Sequence, residues 1–179
     1  MPMTTEEHDK IREFLQTTIR KIFEDGGMIS PTVYKIENNQ LEVYVIAEMP
    51  NDDCKDKVEQ LCVKFVDDGA EGLGFASEAW MLAGEKWNTH KQYSCIADNP
   101  NRIEILMFTY STKSTEVMAF AKIIREDEED PWGITFTGEK KKPKLDEWDI
   151  HTTSKDGHKS EGRFAKFWEK ARTLHYAEN

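Results

Sequence analysis

Cysteine is scarce in this chain. Cys54, Cys62 and Cys95 are odd in number and stand in no Cys-x-x-Cys spacing, which argues against a disulfide framework and against a zinc site. Cys54 and Cys62 fall in one expected helix, where their eight-residue separation amounts to about 12 Å, beyond the reach of a bridge. Long apolar runs are missing too. No stretch approaches the roughly 18 residues of a membrane span, and the opening Met-Pro-Met-Thr-Thr-Glu-Glu has no apolar signal core, so the expected location is the cytoplasm, away from membranes.

Positive charge is outweighed. The 24 Lys and Arg against 34 Asp and Glu leave a formal net charge of -10, a field that repels phosphate backbones and anionic lipid and so opposes nucleic-acid binding. The one compact basic run, Lys140, Lys141, Lys142 and Lys144, is followed at once by Asp146, Glu147 and Asp149 and reads as a solvated turn. No Gly-x-Ser-x-Gly elbow, phosphate-binding glycine loop, dinucleotide fingerprint or paired-histidine metal motif occurs, so no cofactor and no metal are expected. Gly69, Gly72 and Gly74 lie between a helix and a strand, the reverse of the order that anion loops use, and read as turn residues.

What is present is one domain's worth of patterned sequence. The 179 residues, 38% of them hydrophobic, include five Trp, five Tyr and nine Phe, enough for a thin core over residues 1–179 as a single domain. Ile11, Phe14, Leu15, Ile19, Ile22 and Phe23 recur at helical spacing; Thr4 with Glu7 forms a capping box and Asp25-Gly26-Gly27 a left-handed exit. Strands are expected at 32–37 and 40–49 around an Asn38-Asn39 turn, with Leu41, Val43, Val45 and Ala47 on a buried face. A second helix, capped by Asn51, Asp52 or Asp53, carries Val58, Leu61, Cys62, Phe65 and Val66. Further strands are expected at 73–82, apolar on both faces, and at 102–111 and 115–124 as a hairpin. An edge strand is expected at 132–137, and a last helix from Ser160 through Phe164, Phe167, Trp168 and Ala171.

The implied fold is α+β: a mostly antiparallel sheet of five or six strands, two amphipathic helices packed on it, and a C-terminal helix. Both amphipathic helices are expected on one face of the sheet, burying Phe14, Ile22, Leu61 and Phe65.

Glu78 is the first candidate for chemistry, because an acid in an otherwise apolar strand must be paired, protonated or exposed at a cleft. Exposure or pairing with Arg102 is weighed above a general acid or base. If the strands around it pair, Glu104 can face it, and two carboxylates on neighbouring strands can share a proton or a divalent ion. In the long polar stretch 83–101, His90 sits near Trp87 and Tyr93, side chains able either to line a pocket or to pin the loop.

Ser77-Glu78-Ala79-Trp80, then Arg102-Ile103-Glu104-Ile105-Leu106-Met107, then Glu161-Gly162-Arg163-Phe164 resemble a loose group of small bacterial and phage proteins with no known activity. The resemblance spans about residues 70–165. It implies no catalytic residue, and raises Glu78, Trp80, Arg102, Glu104 and Arg163 as candidate positions.

The expected function is therefore that of a non-catalytic binding or accessory protein whose partner is an unidentified protein or small ligand. The alternatives are a small hydrolase built on Glu78 and Glu104, and an acidic decoy of a nucleic-acid-binding partner. Aromatic-rich hairpins are compatible with a homodimer.

Overall fold

The computed structural model describes residues 2–47, 49, 51–82, 96–125, 142–154 and 170. The chain opens with helix α1 (Thr5–Gly26), where Thr4 and Glu7 close the expected capping box and Gly27, at φ 76°, supplies the left-handed exit. Hairpin β1 (Thr32–Glu37) and β2 (Gln40–Val45) follows. Its turn residues Asn38 and Asn39 have φ of 51° and 60°, the pair of positive angles a two-residue hairpin loop needs.

Helix α2 (Asp52–Asp67) is capped by Asn51, whose side chain accepts the Cys54 amide. Strands β3 (Gly72–Met81), β4 (Ile103–Thr112) and β5 (Thr115–Ile124) form the middle of the sheet. Beyond them, β6 (Lys144–Leu145) and β7 (Asp149–Ser154) both pair with β5. The order is β2-β1-β3-β4-β5 with β6 and β7 on β5, and every pairing is antiparallel. The fold is thus α+β with a mostly antiparallel sheet.

The two helices do not share a face, contrary to the sequence expectation. Leu15, Ile19 and Phe23 of α1 pack with Tyr34, Ile36, Ala76, Leu106, Phe108 and Tyr110. Val58, Cys62, Val63 and Phe65 of α2 pack with Val33, Leu73 and Phe75. Neighbouring residues of a strand point to opposite sides, so Val33 and Tyr34 assign the two clusters to opposite faces. A central strand apolar on both sides needs a cover on both, and one helix supplies each.

Exposure follows from this arrangement. Phe14 is 60% and Ile22 49% exposed, whereas Phe23 and Ile19 are fully buried. Leu41, Val43 and Val45 of β2 are also exposed rather than buried, and the inward residue is Tyr44, whose ring lies 4.7 Å from that of Phe65.

Three other readings change. Strand β2 ends at Val45, short of the expected Met49. Residues 144–154, to which no element is assigned from sequence, hold β6 and β7 as a strand interrupted at 146–148. There Arg20 donates to the Leu145 carbonyl at 3.4 Å and to that of Asp146, with its guanidinium over the Trp148 ring. Gly72 and Gly74 are strand residues, not turn residues: a Cβ on Gly72 would lie 2.8 Å from Tyr110 Oη, and one on Gly74 3.2 Å from the Tyr34 side chain. The expected strand at 132–137 and the expected helix at 160–171 lie outside the described residues, apart from Lys170.

Candidate functional site

Strand β3 runs from fully buried residues into half-exposed ones at Glu78, just where α1 has ended. On this open end, register decides which side chains meet. Glu78 is opposite Leu106 and Trp80 is opposite Glu104, so Glu78, Trp80 and Glu104 share the α1-facing side and the two carboxylates are diagonal neighbours.

The carboxylates do not stand alone. Arg125, one residue past β5, donates Nε to Glu104 Oε2 at 2.6 Å and places Nη2 3.9 Å from Glu78 Oε2. Glu78 Oε1 also accepts the Ile29 amide at 2.6 Å. The sequence reading named Arg102 as the neutralising partner of Glu78. Arg102 instead lies over the Trp80 ring, 5.7 Å from its centroid. It is set there by a tight turn around Asn99, which is fully buried, accepts the Asn101 amide on Oδ1 at 2.9 Å, and accepts the Arg102 amide on its carbonyl at 3.1 Å.

A cavity opens beside this cluster because the β4–β5 pairing stops before either strand ends. The β4–β5 register ends at Ile105↔Lys122, while Ile123 and Ile124 pair with β6. The fork encloses about 430 Å³ lined by Pro100, Arg102, Glu104, Lys122, Ile123 and Arg125. A smaller hollow of about 260 Å³ adjoins it, walled by Glu78, Ala79 and Trp80. Arg102, Arg125, Glu78 and Glu104 thus gather on one face of a protein whose net charge is -10, while Lys122, whose neighbour Ile123 packs on the α1 side, lines the fork from the opposite face.

Of the sequence candidates, Glu78, Trp80, Arg102 and Glu104 come together here. Trp87, His90 and Arg163 lie outside the described residues. The sequence reading missed Arg125, Lys122 and Asn99. The Asn99-Pro100-Asn101 run is a turn signal, but nothing local marks Arg125, which is 21 residues from Glu104 in the chain. Among the described residues no three His, Cys, Asp or Glu side chains converge as a metal site. The lysine run divides: Lys142 donates to the Asp25 carbonyl at the end of α1, 2.8 Å away, and Lys144 is in β6; Lys140 and Lys141 are outside the described residues.

No protein family, curated protein or solved structure matches the chain. Among the described residues no helix is long and apolar enough to cross a membrane.

Proposed function

We propose that the protein is a non-catalytic binding protein that grips an anionic group of its partner at the β4–β5 fork. The observation supporting this is the arrangement around Arg125. Its guanidinium reaches both Glu78 and Glu104, and Glu78 also holds the Ile29 amide, so both carboxylates are engaged in holding the fold. Arg102 and Lys122 line the fork cavity from opposite faces of the sheet, both exposed, with the half-exposed Trp80 ring under the Arg102 guanidinium. A carboxylate or phosphate enters between the two cations while an adjoining ring stacks on Trp80.

Phenyl phosphate and phenylacetate, titrated against isotope-labelled protein by NMR, test the reading and separate the two anion types. Saturable shifts at Arg102, Lys122 and Trp80, weakened about tenfold by Arg102→Ala or Lys122→Ala, are expected, with the probe recovered unchanged. Release of phenol that Glu78→Gln or Glu104→Gln abolishes would replace the reading with a carboxylate hydrolase.

A further inference from the structure

At the opposite end of the sheet, six residues along β3 from Glu78 and so about 20 Å away, a cavity of about 310 Å³ lies between the first turns of α1 and the β4–β5 turn. Its walls are mixed. Met3, Ala70 and Val117 are apolar; His8, Arg12 and Tyr110 are polar. We propose that this cavity binds a small organic carboxylate with an apolar body.

The hydrogen-bonding groups of this cavity are only partly used within the fold. Arg12 is mostly buried, with its side chain 15% exposed. Its Nη1 donates to Gln16 Oε1 at 3.0 Å and its Nη2 lies 3.3 Å from Asp9 Oδ1 and 3.6 Å from Glu13 Oε1, while its buried Nε has no acceptor among the described residues. A buried donor without a partner is costly, and Nε with Nη2 forms the side-on edge of the guanidinium that a carboxylate takes with both oxygens.

His8 Nδ1 and Tyr110 Oη are 2.8 Å apart. Burial holds the imidazole toward its neutral form and the phenol toward its protonated form. The pair then carries two protons on nitrogen and oxygen, and only one fits in their mutual bond. Whichever tautomer forms, one further donor remains.

The acidic and hydroxyl acceptors along the cavity already hold donors of the fold. Glu71 takes the Met3 and Asn38 amides, Asp9 takes Arg12, and Thr112 Oγ1 takes the Ser114 and Thr115 amides. The Arg12 Nε and the spare proton of the His8–Tyr110 pair are the donors left over, so a ligand that brings acceptors fits them, and the apolar wall calls for a hydrocarbon body. The volume is at the small end of ligand sites.

Titration of the intact protein with benzoate and hexanoate, followed by NMR, tests this against benzamide, hexanamide and inorganic phosphate. The expected result is saturation by the two acids with a Kd of about 1 mM or tighter and at least about tenfold weaker binding of the amides and of phosphate. Arg12→Lys keeps the charge but loses the two-pronged edge, and is expected to weaken benzoate by about tenfold. Tyr110→Phe is expected to weaken it by about threefold or more, and decides the matter alone if Arg12→Lys does not fold. Lys64→Ala, on the outer side of α2, is expected to bind as wild type. The proposal is overturned if neither acid saturates by about 50 mM, if amides or phosphate bind as well as the acids, or if the folded variants bind benzoate unchanged.

Discussion

Glu78 Oε1 accepts the Ile29 amide across 2.6 Å, so the chain leaving α1 is tied to the middle of the central strand by the same carboxylate that faces Arg125. This single bond joins the first helix to the open end of the sheet, and its two components separate by mutation. Glu78→Gln keeps an oxygen for the amide and loses only a partly exposed ion pair, for an expected change within about 1 kcal/mol. Glu78→Ala leaves the Ile29 N–H without its acceptor and is expected to cost about 1–3 kcal/mol. Urea titration of both variants measures the difference; equal losses would assign the effect to charge.

Phe14 and Phe23 belong to one helix and to one apolar stripe in sequence, yet the first is 60% exposed and the second fully buried. Phe23→Ala is expected to cost about 3–5 kcal/mol and Phe14→Ala less than about 1 kcal/mol. Denaturant midpoints at constant slope provide the comparison. A large loss for Phe14→Ala would mean that α1 buries its other flank.

Gly72 and Gly26 make a second contrasting pair. A Cβ at Gly72 would meet Tyr110 Oη at 2.8 Å and His8 at 3.3 Å, whereas at Gly26 nothing lies within 4 Å. Gly72→Ala must therefore displace the His8–Tyr110 pair, at an expected cost of about 1–3 kcal/mol. Gly26→Ala, at the last residue of α1, is expected to be neutral or to stabilise by up to about 1 kcal/mol. Thermal unfolding of the two variants tests the assignment.

His8 makes stability depend on pH in a defined direction. Burial lowers its pKa from 6.5, against the opposing pull of Glu71, Asp9 and Glu7. The unfolded chain then takes up the proton first as pH falls, so this contribution is complete above pH 6.5 and is lost as pH drops toward the folded-state value. His8→Gln is expected to flatten the decline of stability between about pH 7 and pH 5. A decline of unchanged slope in urea titrations across that range would assign it to other groups. Glu7, held low by the Thr4 amide and hydroxyl, loses its contribution only below its ordinary 4.5, outside this window.

Cys62 is buried on α2, and burial pushes its thiol up to about 12. It is expected to react with a disulfide reagent only as the fold opens, at a rate that rises with denaturant, while the half-buried Cys54 reacts in the native state. Peptide mapping after brief labelling distinguishes the two.

Short-range features of this protein were legible in its sequence. The Thr4–Glu7 box, the Gly27 exit, the Asn38-Asn39 turn, the Asn51 cap and the alternation of β3, β4 and β5 depend on residues a few positions apart, where rotamers, φ preferences and hydrogen-bond reach decide the outcome. The apolar character of both faces of β3 even carried the information that the sheet needs two covers. Which helix covers which face could not be read off, because each amphipathic stripe fits either side. The exposure of Phe14 and Leu41 is set by what the tertiary structure packs against them, not by their own patterns. Glu78 and Glu104 stood out as acids among apolar neighbours. Their diagonal placement, the guanidinium of Arg125 between them, the turn at Asn99 and the meeting of His8 with Tyr110 across 102 residues of chain were set only by strand register and tertiary packing, which bring together groups that no local rule connects.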